Sequence, residues 1–260
     1  MNVTTYPKEK LLKLYGVDLF AAISSSAMVS PFIAIVDRSI IENLNGKRPL
    51  IEGLKFGART ILSQPFQFAG SAQFRLVLGL YFATYSTANI VDTTCEQYGI
   101  NQSTTSLYKF LATTIFNMGL CIYKDKEFTR MFGTASVIHS VPKLSYFMFA
   151  MRDALTIAAS FTLPVYLANF LQTHDWISTK ETARVTAQIV SPAAVQFFST
   201  PIHLYALDLY NRPVVSQCMR FSLIKKEYVK STFARVSRIG PAFGFGGVGN
   251  TYIRGLRSRV

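Results

Sequence analysis

Arg152 and Asp153 are adjacent charges at the edge of a long uncharged segment, and Arg238 lies at the edge of another. An ionisable group facing lipid at mid-depth costs about several kcal/mol, so charges inside an apolar span face a wet cavity and a partner. Read that way, the three make a positively biased pocket for a carboxylate or phosphate solute, because a guanidinium captures such groups through paired hydrogen bonds. The alternative is that they sit at the membrane interface, pairing with each other or with lipid headgroups. Asn89, Asn117, Gln196, His203 and Asn250 also fall inside uncharged segments, where they either line a path or bridge helices. Of these, His203 is the one whose side chain titrates near neutral pH.

Other chemistry finds little support. No Ser/His/Asp or Cys/His set is placed by spacing, and there is no HExxH or P-loop. Cys95, Cys121 and Cys218 are far apart and in no CxxC spacing, so neither a disulfide framework nor a metal site is expected. The run GFGGVG, Gly244 to Gly249, satisfies GxGxxG, but no hydrophobic strand precedes it and no acidic residue follows. Close helix packing accounts for these glycines better. No cofactor and no enzymatic activity are expected, and the sequons at Asn2 and Asn101 are short, chance-level matches.

Half of the 260 residues are hydrophobic and 16% are charged, against about 25% charged in soluble proteins. This is a membrane composition. The net charge of +13 is carried largely by loops between apolar segments, which points to anionic lipid headgroups and topology rather than nucleic acid. Those loops also lack the aromatic stacking pattern of nucleic-acid readers. The opening MNVTTYPKEKLLKLYG has neither an Arg-rich transit helix nor the apolar core of a signal peptide, so targeting is expected to be internal.

Six apolar segments follow: Leu19 to Val36, Leu76 to Val91, Phe110 to Tyr123 extended back to Ser103, Ala154 to His174, Val185 to Leu207, and Ile239 to Ile253. Pro31 predicts a kink in the first. Between the first two, RPLIEGLKFGARTIL places Leu50, Leu54, Ala58 and Ile61 on one face and Glu52, Lys55 and Arg59 on another, which predicts a surface helix. Three long basic loops alternate with two short ones. The positive-inside bias puts the long loops in the matrix or cytoplasm and both termini opposite, although Arg254, Arg257 and Arg259 in the tail run against that bias. Charged ends at Asp37, Asp125 and Asp208 recur at intervals of 88 and 83 residues. The unit is two spans strapped by a basic loop, repeated three times.

These features resemble the mitochondrial carrier family. MRDALTIAASFTLPVYL, from Met151, looks like its fourth helix, and RVSRIGPAFGFGGVGNTYI, from Arg235, looks like its sixth, with Arg238 and Pro241 in the R-x-x-P pattern. SPFIAIVDR and TPIHLYALDLYNR carry the rest. The resemblance implies an all-α membrane protein of six transmembrane helices in one domain, 1–260, with repeats of approximately 12–98, 99–177 and 178–260. It implies a multi-pass place in the mitochondrial inner membrane and Arg152, Asp153 and Arg238 as substrate contacts. Asp37, Arg38, Asp125, Asp208 and Arg212 become the remnant of a gate, since the family's acidic positions two after Pro31 and Pro201 are Ile33 and His203. The expected activity is movement of a small anionic or zwitterionic solute by alternating access. The displaced gate leaves a second reading, a non-transporting scaffold, lipid-handling or insertion factor with a protein partner.

Overall fold

The structure is a computed structural model that describes residues 6–133, 142–161 and 163–259. The Asn2 sequon and residues 134–141 of the second basic loop lie outside the described residues. Within them every regular element is helical. In chain order these are α1 (Lys8–Leu44), α2 (Leu50–Ser63), α3 (Pro65–Ala69), α4 (Ala72–Gln97), α5 (Gln102–Phe132), α6 (Lys143–Phe161), α7 (Leu163–Thr173), α8 (Lys180–Asn211), α9 (Gln217–Ser237) and α10 (Ile239–Pro241). A π-helix (Ala242–Val248), α11 (Gly249–Arg254) and a 3-10 turn (Gly255–Arg259) complete the chain.

The helices overrun the apolar segments that announce them. α1 contains Leu19 to Val36 together with the buried aspartates that flank it, Asp18 and Asp37. Hydropathy marks where charge begins, whereas the helix ends where its backbone bonds end. Gly46 at φ +69° follows α1 and Gly99 at φ +63° follows α4, a left-handed conformation that glycine adopts without a Cβ clash. The side chain of Asn101, one of the sequons, accepts from the Thr104 amide at 2.8 Å and caps α5. Pro31 lies inside α1, and Pro192 and Pro201 lie inside α8, as parts of continuous helices. A bend of 41° separates α6 from α7, with Pro164 in the first turn of α7.

The long helices pack in a ring. α1 lies against α4, α4 against α5, α5 against α6, and α6 and α7 against α8. α8 carries α9 and α10, and the π-helix and α11 return to α1. Polarity is inverted relative to a water-soluble bundle. Along α1, Ser25, Ser26 and Ser30 are buried while Phe20, Met28 and Phe32 are exposed. Along α8, Ser191, Gln196, Ser199 and Thr200 are buried while Val185, Ile189, Phe197 and Phe198 are exposed. Apolar side chains outward and polar ones inward fit a lipid surround. The compact apolar core gathers near the long-loop end, where Ile33, Ile40 and Ile41 meet Phe128, Phe149, Leu204, Leu207 and Ile224.

Two glycines fix close approaches. A Cβ on Gly57 would meet Ile35 Cγ2 at 2.5 Å, so α2 lies directly on α1. Its inner face is therefore Leu50, Gly53 and Gly57 with Leu54 and Ile61, and Ala58, expected on that face, is exposed. A Cβ on Gly246 would meet the Tyr85 hydroxyl at 2.1 Å, which accounts for a glycine in the π-helix beside α4.

The described residues are all-helical, as expected, but composition alone does not mark six spans. Among the described residues, α1 is the one helix long and apolar enough to cross a membrane on composition alone, and α6 with α7 makes a second stretch of that kind. Inward-facing polar residues such as Asn89, Asn117 and Gln196 lower the apolarity of α4, α5 and α8.

Candidate functional site

The ring encloses a cavity of about 290 Å³. Its walls carry hydroxyl and amide groups, among them Thr84, Thr113, Thr114, Asn117, Thr156 and Ser160. Asn117 donates to Thr84 Oγ1 at 3.1 Å and joins α5 to α4 across one wall.

On the long-loop side the cavity is floored by six charges in alternation: Arg238, Asp37, Lys124, Asp125, Arg152 and Asp153. Arg238 at the end of α9 pairs with Asp37 of α1, and Lys124 of α5 pairs with the other oxygen of Asp37. Lys124 Nζ also lies 2.7 Å from Asp125 Oδ1, and Asp125 Oδ2 pairs with Arg152 of α6. The Nε of Arg152 donates to Asp153 Oδ1 at 2.9 Å. Each inner member of the chain thus touches two opposite charges. Pairing of this kind offsets the cost of burying the ions, and loss of one partner costs about 3–5 kcal/mol. His203 of α8 joins from the side, its Nδ1 2.8 Å from Arg152 Nη1. An arginine N–H only donates, so Nδ1 accepts and the neutral ring carries its proton on Nε2.

Arg152 and Arg238, singled out as substrate contacts, are therefore paired with Asp125 and Asp37, singled out as gate residues, and Asp153 joins them through Arg152. Arg38, Asp208 and Arg212 stand apart. Arg38 pairs with Glu42 at 2.6 Å and stacks on Phe132, its guanidinium carbon 4.8 Å from the ring centroid. Asp208 is held by Arg212 and by the buried Arg220 of α9, each at 2.6 Å, a bracket between the end of α8 and the start of α9. Arg220 offered no signal, being one more basic residue in a basic loop. Arg235 lines the cavity too. Its spacing of three from Arg238 places both on one helix face, which was the available clue.

A second ionic cluster lies at the opposite end of the ring. Asp18 and Asp37 are 19 residues apart on α1, which corresponds to about 28 Å of helix. Arg254 of α11 reaches Asp18 at 2.8 Å and Asp92 of α4 at 3.0 Å, and Lys109 of α5 reaches Asp92 at 2.9 Å. Asn89 and Asn250 exchange hydrogen bonds of 2.9 Å. Arg257 pairs with Glu96 at 2.7 Å, and the Tyr6 hydroxyl donates to the same carboxylate at 2.7 Å. Partial burial pushes the Glu96 carboxyl up, but these two contacts outweigh it and hold the group below the usual carboxylate range. The arginines that ran against the topology bias are, at Arg254 and Arg257, neutralised by acidic partners. Among the described residues, no ion pair at this end involves α7 or α8.

A family described as "Probable citrulline exporter" matches residues 21–257. No curated protein and no solved structure matches the chain. The family match overturns the resemblance to the mitochondrial carrier family: the motifs that suggested it are short arginine, proline and glycine patterns, while the match extends over nearly the whole chain. The mitochondrial inner membrane and the threefold repeat, which leaned on that resemblance, are not supported by the match. An exporter family implies a membrane protein, in agreement with the inverted polarity of the helices.

Proposed function

The chain belongs to the probable citrulline exporter family, and on that premise we propose that it is a multi-pass membrane transporter that moves a small zwitterionic solute of the citrulline kind. Residues 1–260 act as one membrane domain. α1, α4, α5, α6 with α7, α8 and the C-terminal helix are its six crossings, with α2 and α9 on the long-loop face. The observation that carries this reading is the cavity that bears hydroxyl and amide groups on its wall and is floored by the six-charge chain. A cavity with converging polar groups is where a solute binds, and ionisable groups deep in a membrane bundle mark solute pathways.

The two ionic clusters supply the mechanism. In this conformation the chain from Arg238 to Asp153 closes the cavity toward the long loops. The cluster of Asp18, Asp92, Lys109 and Arg254 ties α1, α4, α5 and α11 at the other end and, among the described residues, makes no ion pair with α7 or α8. Transport exchanges one closure for the other around a bound solute. The ion pairs that bridge helices, Arg238 with Asp37, Asp37 with Lys124 and Asp125 with Arg152, must then separate once per cycle, so the chain cannot be too stable. Exposed Lys55, Arg59, Lys225 and Lys226 on α2 and α9 meet anionic headgroups. The test is efflux of labelled citrulline from liposomes reconstituted with the purified protein. Efflux well above that of protein-free liposomes supports the reading, and efflux no faster than from them rejects citrulline as cargo.

A further inference from the structure

Four cations line the cavity, and three of them, Lys124, Arg152 and Arg238, have a carboxylate partner. The fourth, Arg235, is 3% exposed. Its Nε donates to Gln196 Oε1 at 3.1 Å and its Nη2 to Ser199 Oγ at 3.4 Å, both neutral acceptors. Among the described residues no carboxylate comes within ion-pair distance of it. A buried guanidinium in that state is poised for an anion, and its planar fork matches a carboxylate.

The other loose end is at the far terminus of the charge chain. Asp153 directs Oδ1 to both the Nε and Nη2 of Arg152. Its Oδ2 is buried and receives no hydrogen bond, and the residue lines the same cavity. A buried carboxylate oxygen without a donor is as unfavourable as an unpaired cation, and an ammonium group would satisfy it.

We infer that Arg235 and Asp153 form a two-point clamp for the head group of an α-amino acid, Arg235 taking the carboxylate and Asp153 Oδ2 the ammonium. This rests on the reading of the cavity as a solute site and assigns its polarity. The solute's side chain is left against the threonine-lined wall, where Thr114 Oγ1 is also buried without a partner. Besides Asp153, the lining carries Asp37, whose two oxygens are taken by Lys124 and Arg238. The site therefore selects α-amino acids with a neutral polar side chain and rejects those with a second cation.

The inference is tested by binding, separately from transport. Affinities of the purified protein are measured for citrulline, glutamine, ornithine, the decarboxylated analogue 4-ureidobutylamine and the deaminated analogue 5-ureidopentanoate. Citrulline or glutamine should bind at least tenfold more tightly than the other three. In Arg235→Gln the preference for citrulline over 4-ureidobutylamine should collapse to within about threefold, while the preference over 5-ureidopentanoate persists. Asp153→Asn should give the converse pattern. If either variant does not fold, Arg235→Lys and Asp153→Glu keep the charge and shift its reach, and each should weaken the same one of the two preferences. Equal loss of both preferences in every variant, unchanged preferences, or no binding of any neutral amino acid would overturn the clamp. Citrulline export with unchanged preferences would overturn the clamp alone. Glutamine binding that follows the expected pattern, without citrulline export, would support the clamp and reject citrulline as cargo.

Discussion

Asp37 of α1 and Arg238 at the end of α9 are 201 positions apart in the chain and form a single ion pair. That contact joins the first helix to the last third of the protein at the floor of the cavity. It also opens the series of alternating charges that runs through α5 to α6. The closure is one connected object, and its members differ in how much they can lose.

Asp37→Asn should be among the most damaging substitutions in the floor. It removes the carboxylate shared by Lys124 and Arg238, leaving Lys124, whose side chain is 5% exposed, with Asp125 alone. The expected loss is about 3–5 kcal/mol, read as thermal unfolding in detergent. Arg238→Gln should cost less, because Asp37 keeps Lys124 and the Arg238 side chain is 21% exposed.

Arg220→Gln separates structure from transport. Asp208 would keep only Arg212, so stability should fall by about 3 kcal/mol. Arg220 lies outside the cavity lining, so export per folded molecule should be retained. A variant that is stable but inactive would return the Asp208 bracket to the gate, where the sequence placed Asp208 and Arg212.

Gly57→Ala should destabilise by about 1–3 kcal/mol, since the new methyl meets a branched Ile35 side chain and forces α2 off α1. Gly16→Ala is the control. Nothing lies within 4 Å of a Cβ there, and removing a helical glycine should stabilise by about 0.5–1 kcal/mol. Paired unfolding curves decide both.

The tie among Tyr6, Glu96 and Arg257 should weaken in acid. The Glu96 carboxyl sits below its usual range when folded, so its contribution is present above the unfolded value and is lost as pH falls through the folded one. The protection of the Tyr6 amide, which donates to Gln97 at 2.8 Å, measured as its exchange rate relative to an unstructured amide at the same pH, should fall across that window. In Glu96→Gln protection should start low and change less with pH.

Arg152, Asp153 and Arg238 were legible in the sequence because a charge beside a long apolar run stands out. Asp37 and Asp125 were legible as recurring helix ends, although the helices continue past them and make them buried partners instead. Arg235 was hidden in plain view, three residues before Arg238, since nothing local distinguishes an unpaired buried arginine from a paired one. The pairing of Asp18 with Arg254 spans 236 positions, beyond any local pattern. The carrier resemblance drew on the same proline, arginine and glycine spacings, which recur wherever helices pack closely in a membrane. Family membership could not be separated on so few residues.

Cys121 lines the cavity just beyond the charge chain, which makes it a reporter of the central claim that this cavity is the solute site and is closed toward the long loops. The direct measurement is labelling of Cys121 by a small membrane-impermeant thiol reagent in oriented proteoliposomes, in a Cys218→Ser background. Labelling should proceed from the side of the chain termini, be slow from the long-loop side, and be suppressed by citrulline. Labelling that is equally fast from the long-loop side, or indifferent to citrulline, would contradict the account.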